Sequence, residues 1–156
     1  MALAPSDARS NIALYPWFKF AQSLLFWQAV WFLYFQNELS AAEAILLYAV
    51  YDIATTVLEV PSGYMSDRLG RRITLIAAAI TGFTGAMLLA LGGSFIVFAM
   101  GQVFLGAASA FASGTDSALL YESLVASDAK DAIERQELRA WRFSFCALAI
   151  SAVLGG

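Results

Sequence analysis

Asp52, Thr55, Thr56 and Glu59 fall 3, 4 and 7 residues apart counted from the first, the interval that aligns side chains along one face of an α-helix. Two carboxylates and two hydroxyls in such a stripe could carry protons or a small cation. The residues around them are apolar, and a carboxylate in hydrocarbon is costly unless it faces a bundle interior or an aqueous cavity. Asp52, in mid-segment, therefore reads as a pathway or coupling residue. Glu59 has two readings: membership of the same stripe, or a place in the membrane interface two residues before Pro61. Asp116 is a second acidic candidate for the pathway, with a structural ion pair to Arg139 or Arg142 as its alternative.

Other chemistry is poorly supplied. There is no histidine and one cysteine, Cys146, which removes the commonest metal ligand and general base, any internal disulfide and any cysteine-based metal cluster. No nucleophile and base stand in a catalytic pattern. The chain is therefore read as a non-enzyme, with neither a cofactor nor nucleic acid among its partners.

A third group is made for shape and charge. Residues 63–75 read Gly-Tyr-Met-Ser-Asp-Arg-Leu-Gly-Arg-Arg-Ile-Thr-Leu. Gly63 has no Cβ and lets another helix approach its backbone, and Gly70 can supply the unusual φ of a very tight turn between helices. Asp67 can accept hydrogen bonds from helix N-terminal amides. Arg68, Arg71 and Arg72 can pair with carboxylates or lipid phosphates.

The elements that must hold these residues are membrane helices. Of 156 residues 60% are hydrophobic, 14% aromatic and 13% charged, and the mean hydropathy is +0.69. That is far more apolar than a soluble domain of ordinary composition. Spans are expected at about residues 12–35, 41–64, 73–92 and 95–124, with a fifth at 143–156 that is short of a full crossing. Residues 65–72 and 125–142 are read as cytoplasmic loops, the latter as a surface helix or linker. These two connections hold every basic residue except Arg9 and Lys19, which places the N-terminus in the cytoplasm by the positive-inside rule. Lys19 lies within the first run, where its long stem can snorkel to the headgroups.

Residues 63–75 resemble the signature between helices two and three of the major facilitator superfamily, G-x-L-A-D-R-x-G-R-R-x-x-L, departing only at Met65 and Ser66. The resemblance implies an all-α polytopic bundle, here the first four to five transmembrane helices of a protein that normally has twelve. It implies transport of a small-molecule substrate by alternating access, with proton-coupled efflux as one mode it allows. It also implies that Gly63, Asp67, Arg68, Gly70, Arg71 and Arg72 form a conformational latch, Asp67 meeting a helix of the missing C-terminal half and the arginines acting through an acidic residue, for which Glu122 is the candidate. The chain alone is then expected not to transport.

Two departures bear on mechanism. The helix-four pattern usually carries an arginine four residues before a glycine, and here Gln102, a candidate pathway or coupling residue that cannot act as a cationic proton relay, precedes Gly106. The helix-five antiporter pattern G-x-x-x-G-P-x-x-G-G is matched only in part, with Ala147 in place of the first glycine, Ser151 and Ala152 in place of Gly-Pro, and Gly155 and Gly156 as the pattern has them. Residues 113–123 resemble bacterial efflux members, which points to the bacterial inner membrane, multi-pass in the lipid bilayer. The reading of another class is a small non-transporting or oligomeric four-helix membrane protein.

Overall fold

The computed structural model describes residues 5–27 and 30–155. All regular structure among them is helical: α1 Pro5–Gln22, α2 Trp31–Gln36, α3 Ala41–Leu69, α4 Arg71–Leu91, α5 Phe95–Ala112, α6 Thr115–Ala126, a 3-10 turn at Lys130–Ala132 and α7 Ile133–Gly155. Among the described residues four stretches are long and apolar enough to cross a membrane: Ala41–Leu69, Arg71–Leu91, Phe95–Ala126 and Lys130–Gly155.

The described residues fall into two compact units. The first draws on Met1–Trp31 and Ser117–Gly156. In it α1 packs on α7, around a small core of Tyr15, Leu120, Leu124 and Ala140. Trp17 and Phe20 of α1 meet Phe143 of α7 edge to face, and Ser144 Oγ donates to the Lys19 carbonyl across 3.4 Å.

The second unit is Phe32–Asp116, where α5 packs against both α3 and α4. Glycines set these crossings. A Cβ at Gly106 would lie 2.8 Å from the Tyr51 carbonyl oxygen and 2.9 Å from Ala54 Cβ, and one at Gly85 would lie 2.9 Å from the Gly101 carbonyl oxygen. Helices in a bilayer gain their association largely from such close backbone packing.

The element boundaries differ from the sequence expectation in four places. The run at 12–35 is not one helix: α1 stops at Gln22 and α2 starts at Trp31. The end of α1 tightens as the Ser23 amide bonds to the Lys19 and Phe20 carbonyls and the Leu24 amide to that of Ala21, satisfying carbonyls that a helix end leaves open. Lys19 thus lies in the last turn of α1. Second, residues 65–69 are helical, so the connection expected at 65–72 contracts to Gly70. Third, the run at 95–124 breaks at Ser113 and Gly114, where Gly114 takes φ +71°. Fourth, residues 133–142 belong to the same helix as 143–155, because Glu134, Arg135, Gln136, Leu138 and Arg139 are good helix formers.

Candidate functional site

Serine and glutamate open α3. Ser40 accepts from the Glu43 amide while the Glu43 carboxylate accepts from the Ser40 amide, a reciprocal cap. The 29 residues that follow rise about 44 Å, more than the roughly 30 Å of hydrocarbon. Asp67 and Arg68 stand in the last turn of this helix.

There the chain reverses through one residue. Gly70 takes φ +99° and ψ 150°, closing α3 through its amide to the Ser66 carbonyl, and α4 begins at Arg71. A side chain at this φ is strained. Arg71 reaches back over the corner, donating to Asp67 Oδ1 at 2.6 Å and to Ser66 Oγ at 2.8 Å. Ser66 is buried and also accepts from Thr115 Oγ1 at 3.2 Å, so the first turn of α6 is tied to the same corner. Arg68 lies over the Tyr64 ring, 5.4 Å from its centroid, with Nε donating to the Tyr64 hydroxyl. Arg72 is exposed.

The corner thus brings together Ser66, Asp67, Gly70 and Arg71. The Asp67 side chain remains 68% exposed. Gly63 is exposed and a Cβ there would meet nothing within 4 Å, so no described residue makes the close approach expected of it. Ser66 entered the sequence reading only as a departure from the usual alanine. Its signal was its register, four residues after Ser62 on the buried face of α3.

The acidic stripe divides. The buried face of α3 runs through Ala44, Leu47, Ala54, Ser62 and Ser66, and Thr55 turns toward it, bonding to the Tyr51 and Gly106 carbonyls at 3.0 and 3.4 Å. Asp52, Thr56 and Glu59 lie on the outward face and are exposed. Across the eight residues from Asp52 to Glu59 the four side chains spread over an arc wide enough for one of them to leave the others. On α5, Gln102 is buried, one turn before Gly106. Asp116 is buried in the first turn of α6, and Glu122 is exposed near the other end of that helix.

A polar cluster in the first unit escaped the sequence reading. Tyr15, 6% exposed in α1, donates its hydroxyl to Glu137 of α7, whose carboxylate oxygens both lie at 3.1 Å, with Ser117 Oγ at 3.3 Å. Asn11 Nδ2 donates to the fully buried Ser123 at 3.1 Å. The segment holding Glu137 reads as a linker on charge alone, which conceals it. Its only advance sign is the helical spacing of Ile133, Glu137 and Ala140.

Comparison with protein families matches residues 12–128 to the Major Facilitator Superfamily, three quarters of the chain. This chain belongs to the major facilitator superfamily. Comparison with curated proteins and with solved structures gives no match. The superfamily consists of secondary transporters, generally carriers rather than enzymes, so membership places this chain in a multi-pass membrane protein of transport, with lipid around it and a solute as substrate. The matched region contains the whole Gly70 corner, the α3 stripe, Gln102, Asp116 and Glu122.

Proposed function

We propose that this superfamily chain serves transport of a small solute by alternating access, with the Gly70 corner as a latch on its cytoplasmic side. The observation that carries the reading is Asp67: it is held by Arg71 at 2.6 Å on one oxygen while most of its side chain stays open, next to an uncovered Gly63. Arg71 fixes the carboxylate's orientation and leaves it able to accept from a further donor. In alternating access two helical bundles rock against one another, and the outward face of α3 offers a second bundle a glycine to pack on and an oriented carboxylate to bond. Glu122 is proposed as the acidic partner through which the arginines act. The position of the basic residues, Arg68, Arg71 and Arg72 about the Gly70 corner and Lys130, Arg135, Arg139 and Arg142 at the turn before α7 and its start, supports the cytoplasmic assignment.

Asp52 and Glu59, exposed on the same face, are proposed to line the pathway, with protons as the coupling ion and efflux as the direction. Asp116 joins them from α6. Gln102 carries no charge, so coupling in this protein is assigned to the carboxylates.

The test is Asp67→Asn in the full-length gene product. Asparagine keeps size and loses charge, and the proposal expects flux to fall about tenfold, the effect of ~1.4 kcal/mol, at unchanged membrane abundance. Unchanged flux removes the latch. A protein that gives no solute-dependent phenotype in either direction, with intact abundance, favours instead the non-transporting or oligomeric membrane protein.

A further inference from the structure

Asp131, Glu134, Arg135, Leu138, Arg139 and Arg142 line a cavity of about 500 Å³ at the start of α7 and the turn before it. Arg135, Arg139 and Arg142 stand at intervals of four and three, on one helical face, and all three are exposed. Among the described residues none of the three has a carboxylate within 4 Å, although Asp131 and Glu134 share the cavity. Arg139 lies over the Phe143 ring, 5.8 Å from its centroid.

Apart from Arg135, which adjoins Glu134, the charges of the cavity are sorted along the axis. Both carboxylates are at the end away from the apolar stretch that begins at Phe143, and Arg139 and Arg142 are at the end beside it. With a rise of 1.5 Å per residue the arginine row spans about 10 Å, somewhat more than the roughly 5–8 Å by which headgroups flank the hydrocarbon on each side, so its inner end reaches the phosphate level when its outer end stands in water. Trp141 and Phe145, exposed beside the row, are the kind of side chains that sit at this level.

We propose that this cavity binds the headgroup of an amine-bearing phospholipid, phosphatidylethanolamine in kind. Its phosphate lies next to the hydrocarbon and bonds Arg139 and Arg142, and its ammonium lies farther out and bonds Asp131 and Glu134. The order of charges in the lipid matches the order along the helix. Guanidinium suits phosphate because its planar fork of donors meets two oxygens at once. A primary ammonium donates three hydrogen bonds to carboxylates, which a quaternary choline cannot do. An anionic glycerol headgroup satisfies the arginines but offers the carboxylates only neutral hydroxyls, with no opposite charge. Phe145, one turn inward of Arg142 and exposed, gives the acyl chains an apolar surface. The assignment requires only that α7 enter the membrane at Phe143 and is independent of the latch.

The test titrates the purified, delipidated full chain in detergent with dioleoyl phosphatidylethanolamine, phosphatidylcholine and phosphatidylglycerol, reading bound lipid by native mass spectrometry. Phosphatidylethanolamine is expected to exceed each of the others by about threefold or more, as two solvent-exposed ion pairs allow. Asp131→Asn with Glu134→Gln should equalise the ethanolamine and choline lipids, and Arg139→Gln with Arg142→Gln should lower binding of all three. Asp131→Lys with Glu134→Lys should turn the preference to phosphatidylglycerol. Stronger binding of phosphatidylglycerol by the unaltered chain overturns the proposal. So does an ethanolamine preference that survives both acidic-site variants. All four positions lie on an open cavity, and retained helix content and monodispersity confirm that each variant is folded.

Discussion

Replacing Gly106 by alanine should separate α3 from α5. The new Cβ would stand 2.8 Å from the Tyr51 carbonyl oxygen, 2.9 Å from Ala54 Cβ and 3.1 Å from the Thr55 amide nitrogen. Two of these are backbone atoms and the third is bonded to backbone, so no side chain can rotate out of the way. Carbon atoms rest about 3.5–4.0 Å apart, so α3 has to withdraw by roughly 0.6–1 Å at the crossing. Overpacking of this kind costs about 1–3 kcal/mol, and the gain in helix propensity from glycine to alanine returns up to about 1 kcal/mol. A net loss of about 1–2 kcal/mol follows. Gly63→Ala is the matched control: it is also a helical glycine in α3, its Cβ would meet nothing within 4 Å, and only the propensity gain applies. Unfolding in mixed detergent micelles, followed by tryptophan fluorescence, should show the Gly106 variant losing stability while the Gly63 variant gains slightly. If both variants shift stability in the same direction by similar amounts, the backbone contact at Gly106 does not set the crossing. In the transporting protein Gly63→Ala should nonetheless lower flux if a second bundle packs there.

Gly70→Ala places a side chain at φ +99° and should cost about 1–3 kcal/mol, read as a lower unfolding midpoint; a neutral result would mean that the corner opens freely. Tyr15→Phe removes the hydroxyl shared by Glu137 and Ser117 and should cost about 1 kcal/mol, given 1.5–3 for bonds to charged groups and about 0.6 for typical interhelical ones in membranes. Glu137→Gln keeps an acceptor and should cost less than Tyr15→Phe by the same assay. At the other end of α4, Glu38 accepts from the Gly93 amide at 2.6 Å; Glu38→Ala should accelerate hydrogen exchange of that amide by about fivefold, the effect of ~1 kcal/mol of local opening, with the Thr74 amide in α4 as an unaffected reference.

The membrane helices and the motif were legible because their signals are local: hydrophobic runs of span length, and a thirteen-residue pattern with glycines at fixed places. What was not legible depended on tertiary partners. Asp67 and Arg68 read as loop residues because charge interrupts the apolar run, but the reverse turn needs only Gly70, and α3 remains helical beneath them. The residues through 113–114, Ala-Ser-Gly-Thr-Asp-Ser, are small and sit inside a longer apolar run, and hydropathy carries no information about whether Gly114 continues a helix or breaks it. Thr115 bonding to Ser66 is what marks the new start. The stripe at Asp52, Thr55, Thr56 and Glu59 shows the limit of periodicity, since spacing groups side chains without saying which edge of the group meets a neighbour. Glu137 was hidden for the opposite reason, its segment being polar enough to pass for a linker while its partner Tyr15 lies 122 residues away.

The single-residue corner has a mechanical consequence. Two helical rods, about 44 and 32 Å long at 1.5 Å per residue, are joined by one pair of soft torsions, so tilt between them is absorbed there and, within α3, at Pro61. A rotation of about 10° at Gly70 sweeps the far tip of α3 through about 8 Å, taking its length as the lever arm. The bond between Arg71 and Asp67 spans that pivot at close range, where it has the least leverage against motion but senses the joint's angle most directly. It is therefore suited to reporting and setting the angle at one membrane face while the large displacement is felt at the other.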